Sequence, residues 1–285
     1  MTRVAFQGAP GAYSYEAIEQ YFGAEVERVP QRTFAEIFTA VEEGAVDYGM
    51  LPVENAVAGS VAQSYELLME HDLRIYAEVI LRVRHMLLTA PGTNLSSINR
   101  VRSHPQALAQ CQRFLVRHNL VPEAVEDTAE AACALAKKPD PEVGVIAGEG
   151  AAKLCGLEII DRNIEDFPFN YTRFFLLGTQ DPPRAQRSKT SIVFTTPHQP
   201  GALFECIGEF SRRGINLTKI ESRPRLNRPW QYIFYLDFEG HAKDPECEAA
   251  MMGLLRRSLF LKLLGSYPAA TTPTEESDPA EEEKK

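Results

Sequence analysis

The sequence predicts an α/β protein in two parts: a two-lobed α/β body, then a smaller βαββαβ module. Three observations predict it. Strand and helix signals alternate from residue 3 onward, the order of a mostly parallel sheet. The alternation restarts after a β-rich stretch, Leu73 to Thr89, long enough to cross from one lobe to another. A proline-containing segment around Asp181 to Arg187 then separates a run ordered strand–helix–strand–strand–helix–strand, the ferredoxin-like plan.

In the first lobe, Arg3 to Gln7 reads as a strand and Gly8 to Tyr13 as a Gly/Pro-rich loop. Ser14 is the expected N-cap of a helix running to Gly23. Glu25 to Val29 is a second strand. Thr33 with Glu36 forms a capping box for a helix that stops at Gly44. Tyr48 to Val53 is a third strand, followed by a polar turn, Glu54-Asn55, and a helix from about Ser60 to His71.

The second lobe should hold strands near Ile98–Arg102, Val121–Glu126, Val143–Ile146 and Glu158–Ile160. Its helices follow Ser103, Asp127 and Gly148. Tyr171 to Gly178, a buried strand by its apolar run, returns to the first lobe. The module's strands are expected at Thr190–Thr195, Asn216–Ser222, Gln231–Phe238 and Leu259–Leu264, and its helices at Pro200–Arg213 and Pro245–Arg257. These readings divide the chain into residues 1–180 (lobes of about 1–75 with 171–180, and 76–170), a linker at 181–188, a module at 189–268 and a disordered tail at 269–285.

The 285 residues are 44% hydrophobic and 24% charged, enough for full cores. A net charge of −9 argues against nucleic acid as a partner. Six acids against two lysines lie between Thr271 and Lys285, so the tail should be solvating. The five cysteines are odd in number and widely spaced, favouring reduced, buried thiols in a cytoplasmic protein. The sequence holds no secretory signal, membrane-length apolar run or metal-ligand spacing.

Asn170-Tyr171-Thr172-Arg173-Phe174 places a hydroxyl beside a fixed cation at a strand end, where α/β sheets hold ligands. Arg binds a carboxylate through two parallel N–H bonds, and the hydroxyl can donate to a nearby oxygen. Gly8-Ala9-Pro10-Gly11 could receive an anion, although it reads locally as a plain tight turn. Glu54 and Asn55 can face a cleft mouth, and Gly59-Ser60 could add N–H donors. Ser103 is an expected N-cap ahead of Pro105, with Gln110 one and a half turns on. His104 is best read as a backbone-bonding residue, and His85 sits in an unremarkable context. In the module, Gly201-Ala202-Leu203-Phe204 opens a helix and Glu221-Ser222-Arg223-Pro224 ends a strand.

Together these segments resemble prephenate dehydratase over nearly the whole chain. The resemblance is carried by Val4 to Ser14, Leu51 to Asn55 with Gly59-Ser60, Ser103 to Cys111 and Asn170 to Phe174. Residues 189–268 resemble an ACT regulatory domain, with the two module motifs above as phenylalanine-binding signatures. The resemblance implies a body like type II periplasmic binding proteins, and conversion of prephenate to phenylpyruvate with loss of carbon dioxide and water. It implies no cofactor and no metal. Thr172 would donate to the leaving hydroxyl and Arg173 would bind carboxylate; Asn55, Ser103 and Gln110 would orient the substrate, and Glu54 would support them. Phenylalanine would bind at Gly201, Ala202, Leu203, Phe204, Asn216, Leu217, Glu221, Ser222, Arg223 and Pro224 where two subunits meet. A homodimer or homotetramer is implied, without membrane attachment. Gly11-Ala12-Tyr13-Ser14 and Leu264 to Pro268 look like arogenate dehydratases, so arogenate is the alternative substrate. The chain starts at the dehydratase strand and reads as monofunctional. A non-catalytic aromatic-metabolite sensor is the competing reading from another class.

Overall fold

A computed structural model describes residues 1–224 and 232–271. The chain forms two compact units, Met1–Asp181 and Pro182–Lys285. Residues 272–285 of the tail expected at 269–285, and Gln231, expected to start a strand, lie outside the described residues.

In the first unit, β1 (Arg3–Gln7) runs to α1 (Tyr13–Phe22), β2 (Glu27–Gln31), α2 (Phe34–Glu42) and β3 (Tyr48–Asn55). A two-residue β4 (Gly59–Ser60) precedes α3 (Ala62–Glu70), β5 (Arg74–Arg82) and β6 (Met86–Thr89). Then follow β7 (Arg100–Ser103), α4 (Pro105–Gln110), α5 (Gln112–Arg117), β8 (Val121–Ala124) and α6 (Thr128–Lys137). The unit ends with β9 (Val143–Ala147), α7 (Glu149–Cys155), β10 (Glu158–Arg162) and β11 (Tyr171–Gly178).

Two mixed sheets result, ordered β2-β1-β3-β11-β5 and β10-β6-β9-β7-β8. β1 pairs in parallel with β2 and β3, and β7 in parallel with β8 and β9, as helical crossover connections allow. The crossing strands pair antiparallel: β11 lies between β3 and β5, and β6 between β9 and β10. The expected lobe boundary near residue 76 falls inside β5, which belongs wholly to the first sheet. The crossing comes later, where the Val83 N–H donates to the Asn170 carbonyl at 2.7 Å.

Several expected caps move. Thr33 does cap α2, its hydroxyl accepting from the Glu36 N–H, while Glu36 Oε2 takes the N–H of Arg32. Ser14 lies inside α1, whose N-cap is Ala12. Gly59-Ser60 pairs with β3 instead of opening α3, whose N-cap is Val61. Ser103 ends β7; His104 caps α4, its Nδ1 accepting from the Gln106 N–H at 3.2 Å. The backbone stays extended through residue 103 because β8 pairs with it as far as Ser103 and β9 as far as Arg102.

The cysteines also depart from expectation. Cys133 in α6 and Cys155 in α7 form a disulfide, with Cα atoms 5.1 Å apart. Both helices pack on one face of the second sheet, so residues 22 apart in sequence meet. The spacing alone carries no sign of this. Cys111, Cys206 and Cys247 are free and buried. No helix of the described residues is long and apolar enough to cross a membrane.

The second unit has β12 (Ser188–Thr195), α8 (Ala202–Ser211), β13 (Leu217–Pro224), β14 (Tyr232–Glu239), α9 (Pro245–Arg257) and β15 (Phe260–Pro268). Its antiparallel sheet is ordered β13-β14-β12-β15, the ferredoxin-like arrangement. Ile192, Phe194, Phe210, Leu236 and Phe238 form the core under the two helices.

Candidate active site

Parallel α/β topology puts strand C-termini and helix N-termini on one edge of each sheet. In the first unit a cavity of about 440 Å³ opens there. It is lined by the starts of α1 (Tyr13, Ser14), α4 (Gln106, Ala107) and α6 (Asp127, Thr128), with Phe34 of α2 and Val61 before α3. Each of these helix starts carries a partial positive charge on its backbone N–H groups, and the acids Glu126 and Asp127 share the wall with them. From the strands come Pro52, Asn55, Thr172 and Phe174.

A bulge decides which strand residues reach it. Thr172 pairs with Asn55, Arg173 with Glu54 and Phe174 with Pro52, leaving Val53 as an extra residue on β3. Thr172, Asn55, Phe174 and Pro52 therefore share the cavity face. Arg173 and Glu54 do not line the cavity. Alternation along the strand sends the Arg173 guanidinium to the other face, where it pairs with the buried Glu78 carboxylate at 2.7 Å. It also stacks 4.7 Å from the Phe175 ring centroid. The carboxylate-binding role expected of Arg173 has no support in this placement. Ser103 is buried as well, its hydroxyl donating to the Ile146 carbonyl at 2.6 Å.

Three of the six expected residues are brought together: Thr172, Asn55 and Gln110. Asn55, Gln110 and Asn170 form a closed ring of amides, and Thr172 is bonded to it through Asn55. Asn55 Nδ2 donates to Asn170 Oδ1 at 2.7 Å, Asn170 Nδ2 to Gln110 Oε1 at 3.0 Å, and Gln110 Nε2 to Asn55 Oδ1 at 3.2 Å. All three side chains are buried, so each unmade bond would cost a full desolvation penalty. The ring joins both lobes, because Gln110 lies on α4 and Asn55 on β3. Asn55 Oδ1 also accepts the N–H groups of Val57 and Ala58.

The ring has two outlets. Asn55 Nδ2 donates to Thr172 Oγ1 at 2.9 Å, occupying the hydroxyl as an acceptor. The Thr172 proton is thereby left to point elsewhere, and the cavity lies on that side. On the other flank His85 Nε2 is 2.8 Å from Gln110 Oε1, and His85 Nδ1 is 2.8 Å from the Tyr13 hydroxyl. Burial holds His85 below its ordinary pKa, and Gln110 and Glu165 oppose this only partly. A neutral imidazole with its proton on Nε2 satisfies Gln110 and turns its lone pair to Tyr13. Burial likewise raises Tyr13 well above its usual range, so it stays a phenol. Sequence reasoning missed Asn170, His85 and Tyr13 as site residues. Asn170, two residues before Thr172, and Tyr13, in the loop after β1, stood in the motifs; His85 carried no local signal.

In the second unit a cavity of about 330 Å³ is lined by Thr196 to Gln199, Gly201 to Phe204, Tyr232 and Phe234. Gly201 adopts φ of 79° at the N-cap of α8. Asn216, Leu217 and Glu221 to Pro224 are not among its described lining residues; Leu217–Pro224 is β13, at the sheet edge. The two signatures expected to share a ligand are thus apart within one chain.

A family model for prephenate dehydratase matches residues 4–182. An arogenate dehydratase/prephenate dehydratase of Arabidopsis thaliana, chloroplastic by its description, is 44% identical over 95% of this chain and 74% of its own length. The structure of prephenate dehydratase from Arthrobacter aurescens in complex with L-Phe superposes with a TM-score of 0.87 at 32% identity, covering 99% of this chain and 96% of that one. A structure described as GqqA, "a novel type of quorum quenching acylases", gives 0.86 at 36% identity, covering 94% and 98%. By the extent of the family match and the identity to its members, the chain belongs to the prephenate dehydratase family.

Proposed function

We propose that this chain converts prephenate to phenylpyruvate, releasing carbon dioxide and water, and that arogenate can enter the same site. The observation that carries the mechanism is the amide ring holding Thr172. The ring carboxylate leaves as carbon dioxide, and its bonding electrons pass into the ring. The hydroxyl opposite leaves as that ring becomes aromatic. Thr172 donates its proton toward the departing oxygen, and solvent replaces it. A threonine is a weak acid, so the catalytic gain lies mainly in orientation and in a preset hydrogen bond. Helix N-termini, not Arg173, hold the two carboxylates. Asn55 and Gln110 orient the hydroxyl, with Asn170 and His85 behind them.

The likeness to a quorum-quenching acylase does not redirect this reading. A nucleophilic hydroxyl needs a base as its acceptor. The cavity imidazole of His85 turns its two ring nitrogens to Gln110 and Tyr13 and not to the Thr172 hydroxyl.

The second unit is proposed to be an ACT regulatory domain that binds L-phenylalanine beside Gly201 to Phe204. Support comes from the cavity there and from the L-Phe complex of the relative. A second copy would supply the β13 signature, making the regulated form a homodimer or homotetramer. Calorimetry should show L-phenylalanine binding that Gly201→Val weakens; heat-silent titration of the wild type would sink this part.

Turnover tests the catalytic reading. Wild type should consume prephenate, and Thr172→Ala should lose about 100-fold or more in kcat with an unchanged Tm. Retained kcat in that variant would remove Thr172 from the mechanism.

A further inference from the structure

We propose that Asp127 recognises the amino group of an α-amino acid substrate and so admits arogenate alongside the keto acid prephenate. The inference rests on the dehydratase reading above. The two substrates differ only where one carries an ammonium and the other a keto oxygen.

The described lining of the cavity contains two carboxylates, Glu126 and Asp127, and neither Lys nor Arg. A pocket serving only dianionic keto acids gains nothing from acids in its wall, since each repels the substrate. Asp127 is half-buried and tied in place. Its Oδ1 caps α6, accepting the Glu130 N–H at 2.8 Å. Its Oδ2 reaches across the cleft to the loop after β1, where a Cβ added to Gly8 would lie 3.0 Å away. One oxygen is thus spent on the helix, and the other stands between the two lobes.

The setting suits a zwitterion. An α-amino acid head presents a carboxylate and an ammonium on neighbouring atoms. The α6 start offers N–H groups to the first, and Asp127 Oδ2 offers a charged acceptor to the second. A keto oxygen at the same place meets a carboxylate and gains no bond.

The cap role and the charge can be separated. Asn and Ser both keep an N-cap oxygen, so Asp127→Asn and Asp127→Ser preserve the helix start while removing the charge. Both full-length variants would be assayed with prephenate and with arogenate, with Tm recorded. The expected result is a fall of about tenfold or more in kcat/KM for arogenate relative to prephenate. Tm should move little. An unchanged ratio in the folded variants, or a wild type that turns over prephenate but not arogenate, would overturn the role of Asp127. A wild type that turns over neither would instead overturn the dehydratase reading on which it rests.

Discussion

The two faces of the β3–β11 pair carry different chemistry one peptide apart. On the cavity face Thr172 and Asn55 belong to a buried network of amides and hydroxyls with no formal charge. On the other face Arg173 and Glu78 form an ion pair, 12% and 0% exposed, stacked on Phe175. The ionic face holds two strands of the sheet together, since Arg173 lies on β11 and Glu78 on β5. The neutral face aims a hydroxyl. A charged neighbour would compete for its proton or fix it in place, whereas an amide donor leaves it available. The second unit repeats the ionic solution at Glu209, which is buried and held by Arg257, Arg213 and Arg212.

This contrast can be broken experimentally. The largest stability change is expected from Arg173→Met. It removes the guanidinium that the buried Glu78 leans on, at a cost of about 3 kcal/mol. Chemical denaturation would measure it, and KM for prephenate should stay near the wild-type value in the folded fraction. A large rise in KM with normal stability would restore Arg173 as a substrate ligand. Next, Asn55→Ala opens the amide ring and frees Thr172 from its donor; kcat should fall about 100-fold. If only stability changed, the ring would be structural.

A smaller effect is expected from Gly11→Ala. Gly11 has φ of 90°, and an added Cβ would lie 2.8 Å from the Ala151 backbone in the other lobe. The cost should be about 1–3 kcal/mol, with a loss of turnover as the cleft is wedged apart. The smallest effect concerns pH. Arg257 first, then the other arginines, hold the Glu209 carboxyl at about 2, below its ordinary 4.5. A depressed carboxylate stabilises the fold above its unfolded value, and that contribution fades as pH falls from about 4.5 to about 2. Glu209→Gln should flatten the fall in Tm across that window. An unaltered slope would mean that other carboxylates dominate acid unfolding.

Local patterns in the chain carried most of the fold. The apolar run Phe174 to Leu177, the Thr33 cap and the Asp127 cap all act over a few residues, so spacing reveals them. Thr172, Asn55 and Gln110 were legible as polar groups at element ends facing a cleft. Which way each side chain turned was not. Arg173 stands beside Thr172 in the chain, yet the pleat of β11 sends the two to opposite faces, and the Val53 bulge on β3 decides which of its residues face Thr172. His85 and Asn170 became site residues only because both crossings meet there, a consequence of pairing between strands far apart in sequence. The Cys133–Cys155 disulfide likewise depends on two helices sharing one face of a sheet. Short-range capping and periodicity are written into neighbouring residues. Register, facing and long-range hydrogen bonding are settled only when distant segments pack.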